Sequence, residues 1–281
     1  LAEVRVEESD NDEDPETSCS RLFSFLDILR RFESSEAMAL VFDLLADQGR
    51  VTSCLLDPSV ISSELISDCA GSILMSGTLH PTSMYVDTLG IDRDSSIQMA
   101  YSSPFPPDRR PVIIASDVTT RYAERGEINT KKIRDHIGAV LDSTPGNVAV
   151  FTISYGILED ILEDRGWVNK SFKIKEEDPD MVKADVSRVL KSLEEGNRRN
   201  VLFGVMGGRF SEGVDYSGGV LSAAICVGLP LPPPSSRQSA TLEYMSQRFG
   251  REKGWRYAAG QPAVNSVLQA IGRPIRKEED R

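Results

Sequence analysis

Histidine and cysteine are scarce: His80 and His136 are the only histidines, and Cys19, Cys54, Cys69 and Cys226 the only cysteines, in 281 residues. No two cysteines form a CxxC pair, so neither a zinc centre nor a disulfide framework is indicated, and no metal ligand is assigned. Reduced, buried thiols are the expectation. His136 falls in an amphipathic helical pattern and reads as a surface or boundary residue. No apolar run approaches the ~18 residues of a membrane span, and the N-terminal stretch has no basic segment followed by an apolar one. Basic charge is short as well. Lys and Arg number 32 against 43 Asp and Glu, a net charge of −11. That balance excludes a general polyelectrolyte sleeve for nucleic acid and any pull toward an acidic membrane, so contact with nucleic acid has to be local.

What is present fits a globular α/β protein. The 40% hydrophobic content fills a core, and the length suits two domains or one large one. Residues 1–6 allow a strand. The first sixteen residues carry eight carboxylates against Arg5, and 7–16 reads as a solvated acidic loop. Leu22, Phe25, Leu26, Leu29 and Phe32 have the spacing of an amphipathic helix. Residues 37–45 are helix or strand, with ALVFDLLAD at 39–47 favouring a helix face. Asp57 and Pro58 form a turn before a short helix starting near Ser59. The apolar run 73–75 ends on Ser76, Gly77 and Thr78, as a buried parallel strand does at a ligand-binding sheet edge; a plain tight turn of small residues is equally open. Residues 101–111, with four prolines, form a linker and a domain boundary.

Beyond it strand and helix alternate. Strands are expected at 111–115, 147–153, 172–174, 201–205 and 222–227. Helices are expected at 129–141, 156–165, 182–193, 238–249 and 263–271. Such alternation implies a parallel sheet covered on both faces by helices. In the last helix Val264, Val267, Leu268 and Ile271 mark a buried face and Gln269 lies opposite. Gly272 ends the pattern, Pro274 prevents its continuation, and Arg273 and Arg276 follow. Arginine keeps its charge and offers a planar fork, so a pair at a rigid helix end suits an anionic oxygen cluster; capping of the helix's own carbonyls is the alternative. In residues 207–219, GGRFSEGVDYSGG, glycines let amides approach a ligand, Ser211 can bond a phosphate and Asp215 can accept from a ribose hydroxyl. Turns are glycine-rich without chemistry too.

In order, SGTL at 76–79, SPFP at 103–106, VAVFTISY at 148–155, GGRFSEGVDY at 207–216 and QAIGRPIR at 269–276 resemble the XPD family of superfamily 2 DNA helicases. The resemblance covers roughly residues 50–281. It implies two RecA-like domains that bind ATP and Mg2+ between them and move 5′ to 3′ along single-stranded DNA in DNA repair. Residues 111–281 would be the second RecA-like domain, a parallel sheet flanked by helices, and 1–110 the C-terminal part of the first. Ser76, Gly77 and Thr78 would couple hydrolysis to movement. Arg273 and Arg276 would act as arginine fingers on the γ-phosphate, with Gln269 positioning the phosphate or the attacking water. Glu212, Gly213 and Asp215 would face the nucleotide sugar. Ser154 and Tyr155, with Arg209 and Ser211, would contact DNA; Arg209 reads equally as a surface charge.

The departures are specific. The sequence has no GxxxxGK[ST] loop, no DEAH-like tetrad after an apolar strand and no four-cysteine iron–sulfur signature. It also begins on Leu1, so the expectation is a fragment, inactive by itself, whose missing N-terminal motor domain supplies the P-loop and the iron–sulfur cluster. Single-stranded DNA, that missing half and repair proteins are the implied partners. The location would be the nucleoid-associated cytoplasm of a prokaryote or the nucleus of a eukaryote. The competing reading is a non-catalytic RecA-like module that binds single-stranded DNA or a partner protein.

Overall fold

Four short runs rich in Val, Phe, Leu and Ile pair edge to edge in the second half of the chain, and their strand ends carry most of the candidate site. The computed structural model describes residues 18–45, 48–106, 111–195, 198–211, 214, 216 and 219–274. The acidic segment 7–16 and the strand expected at 1–6 lie outside them. Two units form: Leu1–Met99 with Pro233–Ala259, and Ala100–Pro232 with Gly260–Arg281. The chain therefore crosses from the first unit at 99/100, eleven residues before the division drawn in the proline-rich linker. It also returns to the first unit for the stretch holding two later helices.

In the second unit the sheet is formed by β3 (Asn147–Thr152), β4 (Phe172–Glu176), β5 (Arg199–Val205) and β6 (Leu221–Val227), in the order β4-β5-β3-β6. All three pairings are parallel. Period-two alternation sorts the side chains. Val148, Val150, Val201 and Phe203 face the layer made by α4 (Glu127–Ser143) and α5 (Tyr155–Leu162). Ala149, Phe151 and Leu202 face the other layer, where Leu193 of α6 (Lys183–Glu194) and Ala270 of α9 (Gln261–Ile271) pack. Helix α4 forms its stripe from Ile133, Ile137 and Leu141, four residues apart and all buried. Phe151 and Phe203 are 0% exposed, a burial that contributes about 1.5–3 kcal/mol for each ring. A parallel sheet clad on both faces is the fold expected from the alternation.

The first unit holds α1 (Ser18–Phe32), the antiparallel hairpin β1 (Met38–Leu45) and β2 (Gln48–Leu55), α2 (Ser59–Ser67), α3 (Thr82–Leu89), α7 (Ser236–Phe249) and α8 (Arg251–Trp255). Residues 39–45, favoured above as a helix face, are thus strand. Val41 packs with Cys54, Leu56, Ala240 and Tyr244, while its neighbours Leu40 and Phe42 point away from that cluster. Beside this apolar packing, polar contacts tie α7 to the N-terminal segment. Asp57, fully buried, accepts from the Ser59 amide (2.9 Å) and the Tyr244 hydroxyl (2.8 Å) and pairs with Arg248. Asp87 accepts from Tyr257 (2.7 Å) and pairs with Arg93.

Several local expectations change. Residues 73–75 and 111–115 are not strands but coil, with Ile73 and Ile113 largely exposed. A strand needs a neighbour to take its backbone hydrogen bonds, and none among the described residues pairs with either run. In α9 the fully buried residues are Ala263 and Ala270, with Val267 packed in the same cluster as Ala270, while Val264 and Leu268 stay partly exposed. Leu22 and Leu26 of α1 are also half exposed. All four cysteines are free thiols, but Cys19 and Cys69 are exposed and only Cys54 is buried. No helix among the described residues is long and apolar enough to cross a membrane.

Candidate functional site

The C-terminal ends of parallel strands are where open α/β sheets place ligands. After β3 the chain turns at Ser154, whose hydroxyl oxygen caps α5 by accepting from the Ile157 amide (3.4 Å). Thr152 fixes the turn by donating to the Ser154 carbonyl (2.9 Å). Tyr155 follows, half-buried, and its hydroxyl donates to Glu177 Oε1 (3.1 Å). Burial, then the Glu177 charge and this hydrogen bond, push the Tyr155 phenol up to about 12. A raised folded-state pKa favours the protonated phenol, so its contribution to stability is complete below pH ~10 and lost as pH rises from ~10 to ~12. Chemical denaturation across that window is expected to show a steeper loss in the parent chain than in Tyr155→Phe.

After β5 the backbone enters the glycine-rich stretch. Gly207 adopts φ +78, a region that favours glycine. Arg209 is exposed, and its Nη2 donates to the Pro179 carbonyl (2.7 Å). Ser211 is 0% exposed and its hydroxyl donates to the Gly208 carbonyl (3.2 Å). In this conformation it closes a turn and offers no surface to a phosphate. Phe210 and Tyr216 are buried, and the Tyr216 hydroxyl donates to the Phe210 carbonyl (2.8 Å), bracing the loop from inside. Desolvation pushes the Tyr216 phenol well above its ordinary range.

The backbone amides here do approach an anion, and it belongs to the chain itself. Glu177, one residue past β4 and 2% exposed, accepts from the Val205 amide at Oε2 (3.1 Å) and from the Arg209 amide at Oε1 (2.7 Å). A Cβ on Gly204 would stand 2.6 Å from Oε2, and one on Gly208 2.9 Å from the same oxygen and closer still to Oε1. Those two glycines make the room for the carboxylate.

Arg273, at the end of α9, is drawn to the same loop. Its Nε donates to the Ser211 carbonyl (2.9 Å) and its Nη1 to the Val214 carbonyl (2.6 Å). Gly272 caps the helix, so the guanidinium leaves it at a fixed point and keeps partial exposure. Gln269 is exposed on the side of α9 away from Ala270. The structure thus brings 154–155, 207–211 and 273 to one edge of the second unit. Glu212, Gly213, Asp215 and Arg276 lie outside the described residues. Ser76, Gly77 and Thr78 sit in the first unit on a local turn, where the Thr78 amide donates to Ser76 Oγ (3.2 Å) and Tyr85 donates to the Thr78 carbonyl (3.1 Å). His136 is a half-exposed partner of Asp117 (2.8 Å). Among the described residues there is no group of three or more His, Cys, Asp or Glu that could hold a metal ion.

Two residues that organise this edge have no role assigned from the sequence. Glu177 stands in the run KEEDPD, which looks like any solvated acidic loop, and Tyr216 ends GGRFSEGVDY with no polar pattern to mark it. Only the strand pairing, which brings the end of β4 alongside β5, points Glu177 inward.

The helicase C-terminal domain matches residues 137–281. The chain is 27% identical over 220 residues to the ATP-dependent DNA helicase XPD of Sulfolobus acidocaldarius, covering 74% of this chain and 37% of that protein. It is 24% identical over 281 residues to the ATP-dependent DNA helicase chl-1 of Caenorhabditis elegans, covering 92% of this chain and 33% of that protein. The chain therefore spans about a third of the length of these curated relatives. A solved XPD helicase structure superposes with a TM-score of 0.66 at 24% identity, over 94% of this chain and 45% of that one, which shows the shared fold. With the clad parallel sheet and the loop that Arg273 fastens, the match over 137–281 shows that the chain belongs to the helicase C-terminal domain family, among XPD-type relatives.

Proposed function

We propose that this chain is the C-terminal portion of an ATP-dependent DNA helicase of the XPD kind, one that moves 5′ to 3′ on single-stranded DNA and serves DNA repair. The observation that carries the reading is the fastening of QAIGRPIR to GGRFSEGVDY through Arg273 at the strand-end edge of a RecA-like sheet. A guanidinium held by two carbonyls is pre-organised for charge developing on a phosphate presented by another domain. Arg273, with Arg276 and Gln269, would face ATP; Glu212, Gly213 and Asp215 would face its sugar. ATP, bound with Mg2+, would supply the phosphoanhydride bond that water cleaves to ADP and phosphate, and the sequence, which holds no P-loop lysine, would leave the β and γ phosphates to a second domain. Ser154, Tyr155 and Arg209 would line the DNA track, and Ser76 to Thr78 would couple the two events.

The test joins the chain to the ATP-binding half of an XPD-type helicase and offers duplexes with a single-stranded tail. DNA-stimulated ATPase and unwinding of the 5′-tailed duplex, not the 3′-tailed one, are expected. The isolated chain should show neither activity, and with a net charge of −11 should bind a dT oligonucleotide weakly and with strong salt dependence. Robust ATPase from the isolated chain, or tight DNA binding in ~0.5 M salt, would overturn this account.

A further inference from the structure

Glu177 is a buried carboxylate at the centre of the candidate edge, yet nothing in the reading above uses it. A charge at 2% exposure is tolerated only when its lone pairs are satisfied, and this one accepts from three donors on three different segments. They are the Tyr155 hydroxyl at the start of α5, the Val205 amide at the end of β5 and the Arg209 amide in the glycine-rich turn. Its own amide donates to the Phe203 carbonyl (2.8 Å), which ties its backbone to β5. Gly204 and Gly208 leave the space it occupies, because a Cβ at either position would collide with its oxygens.

We propose that Glu177 is the positioning residue of the DNA track, holding the Tyr155 ring and the Gly207–Arg209 turn in one fixed relation so that the two contact DNA together. The proposal rests on the reading of this edge as a single-stranded DNA track. A ring on which a base stacks works best when its orientation is set beforehand, and Tyr155 has a hydroxyl that Glu177 can hold from behind. The turn is set by the same oxygen, Oε1, which takes both the Tyr155 hydroxyl and the Arg209 amide. Movement of the turn is thereby transmitted to the ring through a single atom. Burial first, and then the Glu177 carboxylate held against it, raise the Tyr155 phenol.

The experiment measures binding of a fluorescent dT oligonucleotide by anisotropy for the chain, Glu177→Gln, Tyr155→Phe and the double variant, with circular dichroism confirming that each is folded. Tyr155→Phe keeps the stacking face and removes only the bond to Glu177. Each single variant is expected to bind about 5–10-fold more weakly, and the double variant no more weakly than the worse single one. A second readout is the 15N-resolved amide of Arg209, which should shift in Tyr155→Phe without DNA. A hydroxyl that merely touched DNA would leave that amide unmoved. Should Glu177→Gln not fold, Tyr155→Phe still decides through both readouts. Unchanged affinity in the folded single variants, additive losses in the double variant, or an unmoved Arg209 amide would overturn the proposal. Failure of the parent chain to bind the oligonucleotide at low salt would instead sink the track reading, and the proposal with it.

Discussion

Replacing Arg273 by alanine is expected to lower ATP turnover by about 10³-fold or more once the chain is joined to an ATP-binding half, the range for loss of an arginine finger. The structure adds a reason beyond charge. Two of the guanidinium donors are spent on the Ser211 and Val214 carbonyls, so the side chain is held at the loop before any nucleotide arrives. Arg273→Lys keeps the charge but not the planar fork, and a single ammonium cannot bond both carbonyls in the same geometry. It should therefore recover little of the lost turnover. Steady-state ATPase of the three proteins, at saturating DNA, checks this. Unchanged turnover in Arg273→Ala would leave the residue as a loop fastener only. A matching loss of a few kcal/mol in the unfolding free energy is expected in either case, since hydrogen bonds made by a charged group contribute about 1.5–3 kcal/mol each.

The second large effect concerns the first unit. Asp57→Ala is expected to destabilise that unit by about 3 kcal/mol, read as a drop in the urea midpoint. Asp57 is 0% exposed and holds three partners from two distant parts of the sequence: the Ser59 amide, the Tyr244 hydroxyl and Arg248. Removing the carboxylate leaves the Arg248 charge with Ser59 Oγ (2.7 Å) and the face of the Phe249 ring (4.9 Å), neither of them an anion, and strips the Tyr244 hydroxyl of this acceptor. Breaking one side of a buried pair costs about 3–5 kcal/mol, and the lower end applies because Arg248 keeps about a third of its side-chain exposure. Tyr244→Phe removes one neutral donor to the same carboxylate and should cost about 1–2 kcal/mol. If Asp57→Ala unfolds at the parent midpoint, the polar clasp does not hold α7 against the N-terminal segment.

The α/β layering was legible because hydrophobic periodicity is local. Residues 147–152 and 199–205 carry strand-forming runs, and Ile133, Ile137 and Leu141 a helical stripe, whatever surrounds them. Residues 73–75 and 111–115 carry the same kind of apolar run and are coil, since pattern does not provide the neighbouring strand whose backbone must pair with theirs. Residues 39–45 misled in the other direction. Their apolar content suits either period, and only pairing with Gln48–Leu55 decides for strand.

The candidate site divides the same way. The order and spacing of the glycines, arginines and hydroxyl residues in GGRFSEGVDY and QAIGRPIR determined the family and the atoms available for anion chemistry, because those properties belong to residue types. Tertiary structure alone decided what the atoms do at rest. It set Arg273 on two carbonyls of a loop some sixty residues away, turned Ser211 inward, and used Gly204 and Gly208 to admit Glu177. It also carried α7 back to Asp57. Hydrogen bonds and burial depend on distances between segments remote in sequence, and those distances exist only after the sheet has formed.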